Sequence, residues 1–165
     1  AVIGFSAGGH LAANLATSTS DDILVAHGYD PDAVRPNGLM LAYPVITSGP
    51  LAHRGSFDSL LGERRNDSQA LESVSIDRQI DANSARVFAW HTVPDETVPY
   101  ENTLMLIDAC KKAGVSIEAH LFPQGGQGLS LGTAETAWQG VNGIEPSIQI
   151  WPQLAVSWMR RTFAR

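Results

Sequence analysis

Near the start of the chain a serine stands among small residues: Gly4-Phe5-Ser6-Ala7-Gly8, then Gly9-His10. The order fits G-x-S-x-G, in which a serine is held at a sharp strand-to-helix turn. Val2, Ile3 and Phe5 favour a strand before it. Leu11 with Leu15, and Ala12 with Ala16, repeat at helical spacing after it. Small residues two before and two after the serine would let strand and helix cross closely. The Ser6 hydroxyl would then stand clear of the sheet, able to attack an acyl carbon. The N–H of Ala7, at the positive end of the helix, would hold the resulting oxyanion. The same five residues without chemistry are a glycine-rich turn. The apolar strand before and the helix after favour the nucleophile.

A serine hydroxyl needs a base within hydrogen-bond reach and an acid to orient that base. The acid that fits is Asp95, in Thr92-Val93-Pro94-Asp95-Glu96-Thr97-Val98-Pro99, just past an apolar strand and stiffened by two prolines. Glu96 is the adjacent alternative, and a helix-capping Asp95 is the bland one. The base belongs in the loop after the last strand, Gly125-Gly126-Gln127-Gly128, but glutamine occupies its place. An amide can hydrogen-bond yet carries no titratable proton. Of the five histidines, His10 starts the helix behind Ser6, and His27 and His53 fall in loops or the insertion. His120 lies on a half-buried strand. His91, four residues before Asp95, is the best substitute and is expected to line the substrate side of the site.

The elements that would position these groups follow from apolar runs and breakers. Leu39 to Tyr43 and Arg86 to His91 read as strands buried on both faces. Val115 to Phe122 alternates as a half-buried strand. A helix opens at Pro99, with Leu104, Ile107 and Cys110 as its buried stripe, and ends at Gly114. Ile148 to Phe163 reads as a last helix with Trp151, Leu154, Ala155 and Trp158 on one face. Ser18-Thr19-Ser20-Asp21-Asp22 is a polar exit from the first helix. Residues 48–83 read as an insertion of one or two short helices over the strand ends, a candidate lid or substrate wall. Alternating strands and helices imply an α/β fold, a mostly parallel, doubly wound sheet. Ligands of such sheets bind beyond the carboxyl ends of the strands, where Ser6, Asp95 and the 125–128 loop all lie.

Composition narrows the classes. The chain has 165 residues, 44% of them hydrophobic, and a formal charge of −6. The acidic balance, without a basic cluster, argues against nucleic acid as partner. No apolar run reaches the roughly 18 residues of a membrane span. The single Cys110 allows no internal disulfide. No cluster of His, Cys and Asp has metal-ligand spacing, so no metal or organic cofactor is expected.

Taken together, Gly4-Phe5-Ser6-Ala7-Gly8-Gly9-His10-Leu11-Ala12, Tyr43-Pro44-Val45-Ile46-Thr47, His91 to Pro99 with Glu101-Asn102, and Phe122-Pro123 with Gly128-Leu129-Ser130-Leu131 resemble one family. It is the α/β-hydrolase esterases of the carbohydrate acetylesterase and hormone-sensitive-lipase-like group. The resemblance implies catalytic Ser6 and Asp95, with Gln127 where the family has histidine, an oxyanion donor at Ala7, and substrate-binding roles for Tyr43 and His91. It implies hydrolysis of acetyl or other short-acyl esters, chiefly on carbohydrates, impaired by Gln127. It also implies that residues 1–165 are the C-terminal part of one domain, whose second oxyanion donor comes from an earlier glycine-rich loop. Exposed strand edges would then favour a homo-oligomer. A binding module of the same fold without turnover competes with this reading. Kynurenine formamidase-like and prolyl-oligopeptidase-like hydrolysis compete within it.

Overall fold

The computed structural model describes residues 1–17, 21–138 and 142–164. Four parallel strands, β1 (Val2–Phe5), β2 (Gly38–Ala42), β3 (Arg86–Thr92) and β4 (Ile117–Phe122), pair in that spatial order. Helix α1 (Ala7–Leu15) follows β1, and α2 (Asp21–Ala26) and α3 (Pro31–Val34) lead to β2. The insertion between β2 and β3 holds α4 (Arg54–Leu61), α5 (Ser68–Ser73) and α6 (Ile76–Gln79). The apolar pattern predicts one or two short helices here, and the structure has three α-helices. Helix α7 (Glu101–Ala113) joins β3 to β4, and α8 (Trp151–Phe163) closes the chain. The start of the polar exit, residues 18–20, lies outside the described residues.

Alternation along β2 and β3 divides the core between the two faces of the sheet. Leu39, Leu41, Val87 and Ala89 face α1, α6 and α7, meeting Ala12, Ala13, Ile76, Leu106 and Cys110. Ala42, Phe88 and Trp90 face α8, meeting Trp151, Ala155 and Trp158. The rings of Trp90 and Trp151 stack at 5.5 Å, and Tyr43 meets Trp90 edge-on at 5.0 Å. Both faces are therefore covered, as two continuous apolar strands require. Burial pushes the Cys110 thiol up to about 11, which leaves it inert.

The phase of α7 differs from the expected stripe. Leu104 is 41% exposed, while Asn102, Thr103, Leu106, Ala109 and Cys110 are buried. Asn102 sets this phase. Its Oδ1 accepts from the N–H groups of Ile46 and Thr47 at 2.9 and 3.1 Å, and its Nδ2 donates to Leu51 O and Pro99 O. A buried amide with four partners holds the helix more firmly than one leucine can rotate it. Gly114, at φ 73°, ends α7 as expected.

The turn after β1 depends on glycine at one of the two expected positions. A Cβ on Gly4 would lie 2.3 Å from the carbonyl oxygen of Gly8 and 2.7 Å from Cα of Gly9. Nothing stands within 4 Å of a Cβ on Gly8. The second close approach is instead at Gly9, where a Cβ would meet Pro44 at 2.9 Å. Gly4→Ala should therefore cost about 2 kcal/mol or more, because backbone must move. Gly8→Ala should be neutral or stabilising by a few tenths of a kcal/mol. Urea unfolding of the two variants checks this.

Candidate active site

Ser6 links β1 to α1 in a conformation that few L-residues adopt, φ 53° and ψ −122°. Such a backbone costs roughly 1–3 kcal/mol and persists only where its surroundings fix it. Here Ser6 N–H donates to Ala42 O at 3.0 Å, and Ser6 O accepts from the N–H groups of Gly9, His10 and Val45. The hydroxyl is thereby turned off the sheet. The N–H of Ala7 lies in the first turn of α1, where no helical carbonyl precedes it, so it is available to an oxyanion.

Gln127 reaches this hydroxyl from 121 residues away. Its Nε2 donates to Ser6 Oγ at 2.6 Å. Three contacts fix the loop that carries it. Thr92 Oγ1 donates to Gly126 O at 3.2 Å, Ser130 N–H donates to the Tyr43 phenol oxygen at 3.0 Å, and Trp151 Nε1 donates to Ser130 O at 2.8 Å. Leu129 is buried against the aromatic cluster under α8. Gly125 and Gly128 take φ of 99° and 81°, which suits glycine at both bends.

Asp95 is buried in the turn after β3. Its Oδ1 accepts from the N–H groups of Thr97 and Val98, both at 2.9 Å. Its Oδ2 is buried and has no hydrogen-bond donor, and neither has the buried Oε1 of Gln127. Ser6 and Gln127 are thus brought into contact, whereas no hydrogen bond joins Gln127 to Asp95. The amide meets the serine as a donor, opposite to what activation requires. It occupies an oxygen lone pair and accepts no proton.

His91 and Tyr43 lie deeper than a substrate wall would. His91 is fully buried. Its Nε2 meets Val98 O at 2.9 Å and stands 3.3 Å from Asp95 Oδ2, and its Nδ1 meets Thr103 Oγ1 at 2.8 Å. A carbonyl only accepts, so Nε2 carries the proton and Nδ1 accepts from Thr103. Both nitrogens being engaged inside the protein, His91 neither replaces the base nor faces a substrate. Tyr43, at φ 38°, is likewise buried, and its hydroxyl holds the Gln127 loop. Burial pushes its phenol up, the Ser130 N–H opposes this, and the charge of Asp95 adds to it. Both residues position neighbours of the site. Thr92, Thr103 and Trp151 share that work, and no local motif announces them.

The model of the prolyl oligopeptidase family matches residues 1–139. The chain belongs to the prolyl oligopeptidase family. Its fold is that of the α/β-hydrolases. An acetyl ester-xyloside bifunctional hydrolase from Caldicellulosiruptor lactoaceticus, a solved structure, is 34% identical with a TM-score of 0.75, over 97% of this chain and 55% of that one. Endo-1,4-beta-xylanase B of Butyrivibrio fibrisolvens is 33% identical over 84% of this chain and 22% of its own. Acetylxylan esterase of Xylanibacter ruminicola is 28% identical over 80% of this chain and 26% of its own. This member of the prolyl oligopeptidase family therefore spans about half of the solved relative and about a quarter of the two curated ones. The family's name is a peptidase's, but these relatives are named for ester and xylan or xyloside hydrolysis.

Behind the elbow of this prolyl oligopeptidase family member, His10 is buried against Phe57, ring centroids 5.4 Å apart, with Nε2 donating to Val74 O at 2.7 Å. Burial pushes its imidazole below the ordinary 6.5, although the bond to Val74 opposes this. The unfolded chain takes up a proton near 6.5 that the folded chain resists. The stability tied to neutral His10 is therefore complete above 6.5 and is lost as pH falls below it, toward the folded value. Melting temperatures at about pH 7.5 and about pH 5.5 should differ less for His10→Gln than for the parent chain.

Proposed function

We propose that residues 1–165 form the C-terminal part of one α/β-hydrolase domain, with residues 48–83 as an insertion, and belong to a serine carboxyl-ester hydrolase. Its substrates are acetyl or other short-acyl esters on carbohydrates, and Gln127 silences it. The observation that carries this reading is the pairing of Gln127 Nε2 with Ser6 Oγ at 2.6 Å, together with a buried Asp95 Oδ2 that accepts no hydrogen bond. That carboxylate oxygen is an acceptor for an N–H that Gln127 does not supply. The carbohydrate-ester names of the similar proteins support the substrate class.

In the active form of such a site, Ser6 Oγ attacks the acyl carbon as a histidine at position 127 takes its proton. Asp95 Oδ2 accepts from the other nitrogen of that histidine and holds the tautomer. The oxyanion gathers at Ala7 N–H and at a second donor from a glycine-rich segment outside these residues. The alcohol leaves with the proton held by the base, and water then resolves the acyl-enzyme. With glutamine in place, none of the proton transfers occurs. The chain then binds an ester without turning it over, which is the second reading, favoured by the closed Ser6–Gln127 hydrogen bond.

Gln127→His separates the two. Hydrolysis of p-nitrophenyl acetate should rise about 10³-fold or more, because loss of a triad base costs about 10⁶ in kcat in a protease. The rate should increase with pH through the imidazole range, about 6 to 7, and vanish in Ser6→Ala. A Gln127→His chain as inert as its parent, yet still binding acetylated xylose, would leave the binding module.

A further inference from the structure

Asp95 and Gln127 sit on separate loops, yet side chains that hold both loops are neighbours at the end of β3. His91 and Thr92 are each 0% exposed. Being consecutive in a strand, they point to opposite faces of the sheet. His91 turns to the α7 face, where Thr103 stands. Thr92 shares the other face with Phe88 and Trp90 and meets the loop of Gln127. The strand that carries them is anchored along its length. His91 lies beside Leu121 and Thr92 beside Phe122 of β4, and Val93 N–H donates to Phe122 O at 2.8 Å.

Resting on the hydrolase reading above, we propose that His91 and Thr92 are a pair of positioning residues that set the separation between the acid and the base of the reaction. His91 holds the acid. Its neutral ring has one N–H, on Nε2, and gives it to Val98 O at 2.9 Å, not to Asp95 Oδ2 at 3.3 Å. Val98 N–H in turn donates to Asp95 Oδ1. The carboxylate is therefore gripped by one oxygen, and the other keeps its lone pairs for the base. Thr103 maintains this arrangement, because its hydroxyl donates to Nδ1 at 2.8 Å and leaves the ring proton on Nε2. Thr92 holds the base. Its hydroxyl donates to Gly126 O at 3.2 Å, one residue before position 127, and a Cβ on Gly125 would lie 3.3 Å from its methyl. With both grips on successive residues of one strand, neither loop shifts against the other without breaking a buried hydrogen bond. A reacting group misplaced by about 1 Å can cost about 10²-fold in rate. The pair is buried away from any substrate, so it acts on kcat and not on substrate affinity.

The test has a kinetic arm, the full chain carrying Gln127→His with p-nitrophenyl acetate, and an NMR arm on the chain with Gln127 in place. In the kinetic arm His91→Leu and Thr92→Val should each lower kcat about 10²-fold and leave KM within about twofold. His91→Gln keeps an N–H for Val98 O, and Thr92→Ser keeps the hydroxyl, so each should recover most of the lost kcat. The double variant His91→Leu/Thr92→Val should lose little more than either alone, since one misalignment already spoils the geometry both residues serve. In the NMR arm the Val98 amide proton should move upfield in His91→Leu, as its bond to Asp95 loosens, and stay in place in His91→Gln. Losses that appear in KM, losses in kcat that multiply in the double variant, or losses that the conservative variants do not recover overturn the proposal, because the contacts then serve stability alone. Should His91→Leu fail to fold, Thr103→Val, which removes only the partner of Nδ1, must show the same split between kcat and KM, or the proposal falls. An inert Gln127→His chain overturns the hydrolase reading and leaves the NMR arm to decide. A shifted Val98 amide then keeps His91 as the holder of Asp95, and an unmoved one overturns that as well.

Discussion

A single backbone conformation governs this molecule, that of Ser6 at φ 53°. An L-residue does not stay there unaided, so the chain around it supplies restraint. Gly4 lets β1 and α1 cross at a distance that would place a Cβ against the Gly8 carbonyl. The Ser6 carbonyl collects three N–H groups, one of them from Val45 beyond β2, and its own N–H is fixed to Ala42. The strain is thus held by two strands and a helix together. Parallel register sets Phe5 beside Ala42 and Ala42 beside Trp90, with β3 running on to Thr92, so that residues following each strand share one edge of the sheet.

At that edge the polar groups are ordered but incompletely matched. Asp95 is clamped through Oδ1 by two amides, and the peptide of Val98 is clamped in turn by His91, itself oriented by Thr103. This leaves Oδ2 held in position with no donor of its own. A buried acceptor left unsatisfied costs about 1–3 kcal/mol, and the site has two, Asp95 Oδ2 and Gln127 Oε1. An imidazole at position 127 is the group that could donate to the carboxylate and accept from Ser6 at once. Glutamine fills the space and donates to the serine, but its remaining oxygen is of the same polarity as the carboxylate it should meet.

The sheet was legible because its two central strands are covered on both faces, so Leu39–Tyr43 and Arg86–His91 stand out as unbroken apolar runs. The order of Ser6, Asp95 and Gln127 along the chain was legible too, as each follows a strand end. What hid was set by side-chain bonds between distant segments. Asn102 and Thr103 look like the wet face of α7, yet Asn102 satisfies four backbone groups and Thr103 holds His91, so Leu104 turns outward. His91 was misplaced for the same reason, since alternation along a doubly covered strand does not say which face carries a polar ring. Gly8 was credited with a close approach that belongs to Gly9, a difference of one residue that pattern spacing does not resolve.

On the proposed reading, Ser6 is poised in shape but held unactivated by the amide of Gln127. Covalent labelling of Ser6 by a fluorophosphonate, followed by mass spectrometry of the intact chain, tests it most directly, because the reagent reports the nucleophile and needs no turnover. The parent chain should show negligible labelling over hours, and Gln127→His should label rapidly at Ser6. Rapid labelling of the parent chain at Ser6 would contradict it, since the serine would then be activated with glutamine in place.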